Sequence, residues 1–127
     1  MIVVRIAVVV FLVLVAACQR EPATKAPPRK LEVSPAPPAG ELPAIVVPEL
    51  ARARADGKHF LVYVGAVWCE PCREFHDAAR AGSLDAQLGD LRMLEFDLDR
   101  DGARLEAAGY RSPLVPMFAL PGEDGRA

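Results

Sequence analysis

One stretch constrains this chain more than any other: an apolar run that passes directly into two closely spaced cysteines. The run is His59-Phe-Leu-Val-Tyr-Val-Gly-Ala-Val67, and Trp68-Cys69-Glu70-Pro71-Cys72 follows it. Its β-branched and aromatic residues read as a buried strand. Glu70 to Arg80 then holds good helix formers, so the cysteines fall where a strand hands over to a helix. A helix N-terminus presents unpaired backbone N–H groups and the positive end of the helix dipole, and both lower the pKa of a thiol placed there. The two intervening residues let the pair close a small disulfide ring at one helical turn. Pro71 lacks an N–H, but in the first turn that donor has no helical partner to lose.

The rest of the chain sets the context of this dithiol. Its 127 residues leave room for one small domain. A net charge of −2, without a basic patch interleaved with aromatics, gives no reason to expect nucleic acid. Of three cysteines, Cys69 and Cys72 pair by position, which leaves Cys18. Met1 to Ala17 carries Arg5 near its start, then an apolar run, then small residues, the order of a secretory signal. The uninterrupted run from Ile6 to Ala17 is 12 residues, against ~20 for a spanning helix. Its end, Val15-Ala16-Ala17-Cys18, resembles the lipobox of bacterial lipoproteins, in which the cysteine is lipidated and becomes the first mature residue. An ordinary signal or an uncleaved anchor are the other readings. Export places the domain in an oxidising compartment, where a dithiol can act as oxidant or reductant.

Residues 1–17 are therefore expected to be a signal peptide. Residues 18–41 are expected to be the lipidated Cys18 and a linker, because Pro22, Pro27, Pro28, Pro35, Pro37 and Pro38 fall there with almost no large apolar residues. Such a segment leans to polyproline II and serves as a spacer. The folded part is expected over 42–127. Ala44 to Val47 reads as a short strand, Pro48 to Ala55 as a helix ended by Gly57, and His59 to Gly65 as the central strand. Ser83 is a candidate cap for a short helix through Leu88. Leu91 to Leu98 alternates as a strand, with Leu91, Met93 or Leu94, Phe96 and Leu98 contending for the core. Asp99 to Ala108 reads as a helix with Gly109 at its C-cap, and Met117 to Leu120 as a last strand. Strands alternating with helices indicate an α/β sheet.

Trp68-Cys69-Glu70-Pro71-Cys72 after a hydrophobic strand resembles the thioredoxin superfamily. A second match is Tyr110-Arg-Ser-Pro-Leu-Val-Pro116-Met-Phe-Ala-Leu120, where thioredoxin-like domains carry a cis-proline immediately before a strand, packed beside the active-site disulfide. Pro116 is the matching residue and Val115 precedes it. The resemblance covers about Leu42 to Arg126. It implies a thioredoxin-like fold, a central mixed sheet flanked by helices. Such domains continue past the Gly122–Gly125 turn into a last strand and a covering helix, so the expectation is an incomplete domain with an uncovered sheet edge and face.

The resemblance also implies roles. Cys69 is the nucleophile that attacks a substrate disulfide, and Cys72, more buried, resolves the mixed disulfide. Trp68 is expected to pack over the site. Pro116 keeps metals from the cysteines and presents the Val115 backbone to an extended substrate. Departures matter too. Tyr63 stands where thioredoxin proper keeps a buried acid, which argues for a specialised exported relative. Glu70 replaces a glycine, and a carboxylate beside Cys69 disfavours its thiolate, which leans the pair to the reducing side. The expected function is reduction of protein disulfides by a membrane-anchored thiol–disulfide oxidoreductase that needs no cofactor and draws on a membrane electron donor. A cytochrome c maturation-type thiol reductase is the enzymatic alternative. A non-catalytic lipoprotein that binds a metal or a partner is the other. His76 lies one turn from Cys72, so a Cys/His cluster is imaginable, but more often such a histidine is a solvated helix residue, and no metal is assigned.

Overall fold

A computed structural model describes residues 28–127. The signal segment, Cys18 and the first part of the linker lie outside the described residues. Four strands, β1 (Glu32–Pro35), β2 (His59–Gly65), β3 (Leu91–Asp97) and β4 (Met117–Ala119), form one sheet in the order β1-β3-β2-β4. β1 and β2 run parallel to β3, and β4 runs antiparallel to β2. The helices are α1 (Leu42–Ala55), α2 (Glu70–Arg80), α3 (Asp85–Leu88) and α4 (Leu98–Ala107). Among the described residues no helix is long and apolar enough to cross a membrane.

The pleat of β2 builds two cores, because successive side chains point to opposite faces. Phe60, Val62 and Val64 join Leu94 and Phe96 of β3 on one face. There they pack against Leu42, Val46, Leu50 and Ala53 of α1 and Leu105 of α4. Tyr63 and Met93 are buried on the other face, against Phe75 and Ala79 of α2 and Leu84 and Leu88 around α3. Full burial of such side chains stabilises by about 1.5–3 kcal/mol each before entropy is counted. The architecture is a mixed sheet with helices on both faces, the α/β arrangement that the sequence resemblance implies.

Three local expectations are corrected. The linker reading fails over its second half: Glu32–Pro35 is an edge strand paired with Glu32↔Arg92 through Pro35↔Glu95. Leu31 and Ala36 are buried at its two ends. Proline is tolerated there because an edge strand leaves half its backbone groups unpaired by the sheet. The Ala44–Val47 strand does not form, and α1 runs from Leu42 through Pro48 to Ala55. Its buried residues Leu42, Val46, Leu50 and Ala53 follow helical spacing, while Pro48 faces solvent. Burial of that face outweighs the one backbone hydrogen bond proline removes. Ser83 does not cap α3. Leu84 holds that position, and the Ser83 hydroxyl donates to the Ala78 carbonyl at 3.0 Å.

The two helices on the larger core end alike. After α1, the Gly57 N–H reaches the Arg54 carbonyl at 3.0 Å and the Lys58 N–H reaches the Ala53 carbonyl at 2.8 Å. After α4, Gly109 and Tyr110 repeat this onto Glu106 and Leu105. Both glycines have positive φ, +68° and +90°, which this Schellman-type closure requires. The first closure delivers the chain into β2 and the second into the loop that carries Pro116.

Candidate active site

Cys69 and Cys72 are disulfide-bonded, with Cα atoms 5.2 Å apart. Cys69 is the N-cap of α2 and Glu70 opens the first turn. The Cys72 backbone N–H donates to Cys69 Sγ at 3.2 Å, so one orphan donor of the helix end already points at sulfur. In the dithiol this donor and the helix dipole would favour a Cys69 thiolate. Pro71 lies in the same first turn and is exposed. The expected difference in burial between the cysteines is not found: each is only 3% exposed. Together with Ala66 they form a small cluster against which Leu98 and Val115 pack, and this closes over Cys69 as well as Cys72.

The Val115–Pro116 peptide bond is cis. It stands immediately before β4, so Val115 is set against the cysteines while Met117 pairs with Val64 on β2. Leu114, next to Val115, is exposed, as are Val67 and Trp68 before Cys69.

Trp68 is 62% exposed, and its indole N–H donates to Asp99 Oδ2 at 2.9 Å. That aspartate is in the first turn of α4, where three neighbouring residues serve the site. Asp97, the N-cap, accepts from the Arg100 N–H at 2.9 Å. Leu98 packs on the cysteine cluster, and Asp99 holds the indole. Asp101, one turn on and 1% exposed, accepts from the Asp97 N–H and from the guanidinium groups of Arg100 and Arg104. Burial acts to raise the Asp101 pKa. The hydrogen bonds from Arg100, the Asp97 amide and Arg104 more than reverse this and hold the carboxyl below its ordinary value.

Beneath the disulfide lies Tyr63, fully buried. Its ring stacks on Phe118 with centroids 5.0 Å apart and tilts against Phe75 at 5.2 Å. Its hydroxyl has no hydrogen-bond partner. Both this hydroxyl and Cys72 Sγ crowd Gly65: a Cβ there would stand 2.9 Å from the oxygen and 3.6 Å from the sulfur. Burial, with a smaller contribution from Glu95, pushes the Tyr63 pKa up to about 12.

His76 is not a solvated helix residue. Its Nε2 lies 2.7 Å from Glu95 Oε1 across the gap between α2 and β3. Glu95 is a site residue that the sequence did not reveal. Its only local signal is a polar position in β3, and what matters is its register directly opposite Tyr63. Among the described residues no three His, Cys, Asp or Glu side chains are grouped to hold a metal ion.

No protein-family model matches the sequence, and no curated protein matches it. Among solved structures the chain is similar to a mutant thioredoxin from Halobacterium salinarum NRC-1. The two share 22% identity over 81% of this chain and 78% of that one, with a TM-score of 0.45.

Proposed function

We propose that this chain is a thiol–disulfide oxidoreductase, anchored to a bacterial membrane, that reduces protein disulfides on the extracytoplasmic side. The observation that carries the proposal is the Cys69–Cys72 disulfide at the N-terminus of α2, with the Cys72 N–H on Cys69 Sγ and Val115 of the cis-proline loop packed on the small cluster the cysteines form with Ala66. Cys69 as thiolate attacks one sulfur of a substrate disulfide, and the other substrate sulfur leaves as a thiolate and takes a proton. Cys72 then loses its proton and attacks Cys69 Sγ. The Cys69–Cys72 disulfide forms, and the second substrate sulfur departs with the electron pair and is protonated. The substrate gains two electrons and two protons, and the dithiol loses them. Exposed Val67, Trp68 and Leu114 next to the cysteines and Val115 offer apolar contact to a substrate chain.

The reducing direction rests on Glu70, whose carboxylate in the first turn opposes a neighbouring thiolate. A reductase in an oxidising compartment needs its electrons returned, so a membrane donor of reducing equivalents is part of the reading. The lipobox-like sequence ending at Cys18 supports the anchor. Glu70, Pro71, Val115 and Pro116 shape the site, and Cys69 and Cys72 carry the chemistry.

The test is the reduction potential of the pair in the full chain, by thiol trapping in glutathione buffers, with cysteine variants in parallel. A value near ~−270 mV supports the reductase, and one near ~−120 mV overturns the direction. Cys69→Ser is expected to abolish turnover of a protein disulfide, and Cys72→Ser to accumulate the mixed disulfide. A pair that never cycles removes the catalytic reading. In the same cells Cys18→Ser is expected to release the protein from the membrane fraction; continued attachment would remove the lipid anchor.

A further inference from the structure

Cys72 must give up its proton to resolve a mixed disulfide, and it does so while almost wholly buried. The residue beneath it, Tyr63, holds its own proton to about pH 12 and is no base at neutral pH. The base therefore has to come from another direction. Cys72 borders a solvent-filled cleft of about 380 Å³ whose lining also includes Ala66, His76, Glu95 and Asp97. His76 follows Cys72 by four residues, so both project from the same face of α2. Its ring is held by Glu95 Oε1 at 2.7 Å, and the two side chains keep 30% and 27% exposure. They are ordered yet in contact with solvent, which proton transfer through water requires.

We propose that the His76–Glu95 pair accepts the proton of Cys72 through the solvent of this cleft when Cys72 attacks the mixed disulfide. The inference rests on the oxidoreductase reading and adds to it the residues that serve the resolving step. The Cys72 S–H bond breaks and the proton passes to the pair. The sulfur's electron pair forms the bond to Cys69 Sγ, and the Cys69–substrate bond breaks with its electrons on the departing sulfur. In the opposite direction the pair returns the proton to Cys72. The other charges around the cleft have different engagements. On β3, Asp97 caps α4. On α2, Arg80 pairs with Asp77, and Arg73 is exposed. On the β1 side, Lys30 and Glu32 line a second cleft that His76 also borders, and Glu32 is held by Lys58 and Arg92. Tyr63 supplies the apolar floor, its ring 5.7 Å from that of His76.

The experiment uses the full chain with Cys18→Ser, in mild detergent, so that Cys69 and Cys72 are its only thiols. The reduced protein is mixed with dithiobis(nitrobenzoate), and release of coloured thionitrobenzoate is followed in time. The first equivalent reports attack by Cys69, and the second reports resolution by Cys72. Glu95→Gln and His76→Gln are each expected to lower the ratio of second to first rate by about 10²-fold at neutral pH, the low end of general acid–base catalysis. The deficit should close at alkaline pH, where hydroxide ionises Cys72 directly. The double variant should be no slower than the slower single one, because the residues act as a unit. A ratio and pH profile unchanged in both variants overturns the proposal, as does a fall that persists at alkaline pH. A parent protein that never releases the second equivalent fails the oxidoreductase reading itself, and the proposal with it.

Discussion

The chain has two tyrosines, and the fold treats them in opposite ways. Both are buried, and burial pushes both pKa values up to about 12. Tyr110, after α4, donates its hydroxyl proton to the Gly125 carbonyl at 2.9 Å and so ties the last turn of the chain to the larger core. Tyr63, in the central strand, donates to nothing. An unpaired buried hydroxyl costs about 1–3 kcal/mol relative to one that is satisfied. One phenol is thus a fastener. The other is a ring wanted for its stacking on Phe118 and Phe75, with an oxygen left over against Gly65. Polar burial that is fully partnered belongs to the architecture, and polar burial left open marks the site.

Asp101 is the extreme of the partnered class and gives the largest expected effect. Asp101→Ala removes the acceptor of the Asp97 N–H, Arg100 and Arg104, and hydrogen bonds to a charged group contribute about 1.5–3 kcal/mol each. Because Arg104 also holds the Pro37 and Gly40 carbonyls, the loss should spread to the segment between β1 and α1. Urea unfolding measures the cost, and a loss below ~1 kcal/mol would break the distinction between the two classes. The sign with pH follows from a folded pKa held below the ordinary value of 3.8. The contribution is complete above that value and disappears as pH falls below it through the folded pKa. The acid limb of the stability curve should therefore shrink in the variant.

The raised tyrosine pKa values give a second, smaller effect on the alkaline side. Each folded pKa is about 12, against an ordinary value of 10.0. The unfolded chain therefore loses these protons first. The stability linked to the neutral phenols is complete below pH 10 and is lost as pH rises from there towards 12. At about 1.4 kcal/mol per pKa unit, each tyrosine is linked to roughly 2–3 kcal/mol over that window. Unfolding free energy measured across it should fall less steeply in either phenylalanine variant than in the parent. An unchanged slope in Tyr63→Phe would mean that the Tyr63 oxygen is hydrated in the folded protein.

Much of the site was legible because its chemistry is written in short spacing. Cys69, Cys72 and Pro71 sit within four residues, and Pro116 stands just before the last strand. What stayed hidden depends on partners far along the chain. β1 is four residues long in a Pro-rich stretch, and only its pairing with β3 makes it a strand. Glu95 reads as an ordinary polar residue until the register sets it opposite Tyr63 and His76 reaches across to it. Pro48 signals a break, yet the buried face of α1 carries the helix through it. Nothing local to Trp68 shows that Asp99, at the start of another helix, accepts its indole N–H.

The closest probe of the comparison is to remove one oxygen atom from each tyrosine. Tyr110→Phe leaves the Gly125 carbonyl, a buried acceptor, without its donor, and should cost about 1–3 kcal/mol. Tyr63→Phe keeps the ring, its contacts with Phe75 and Phe118 and the volume of the site, and deletes a donor that has no acceptor. It should leave stability unchanged or raise it by about 1 kcal/mol, since exchanging a polar group for an apolar one of the same shape is neutral or better where no partner is lost. Parallel urea titrations of the parent and the two variants decide the matter. Similar losses in both would show that the Tyr63 hydroxyl has a partner in the folded protein. A loss confined to Tyr110→Phe would leave the Tyr63 oxygen as a group the fold carries without using.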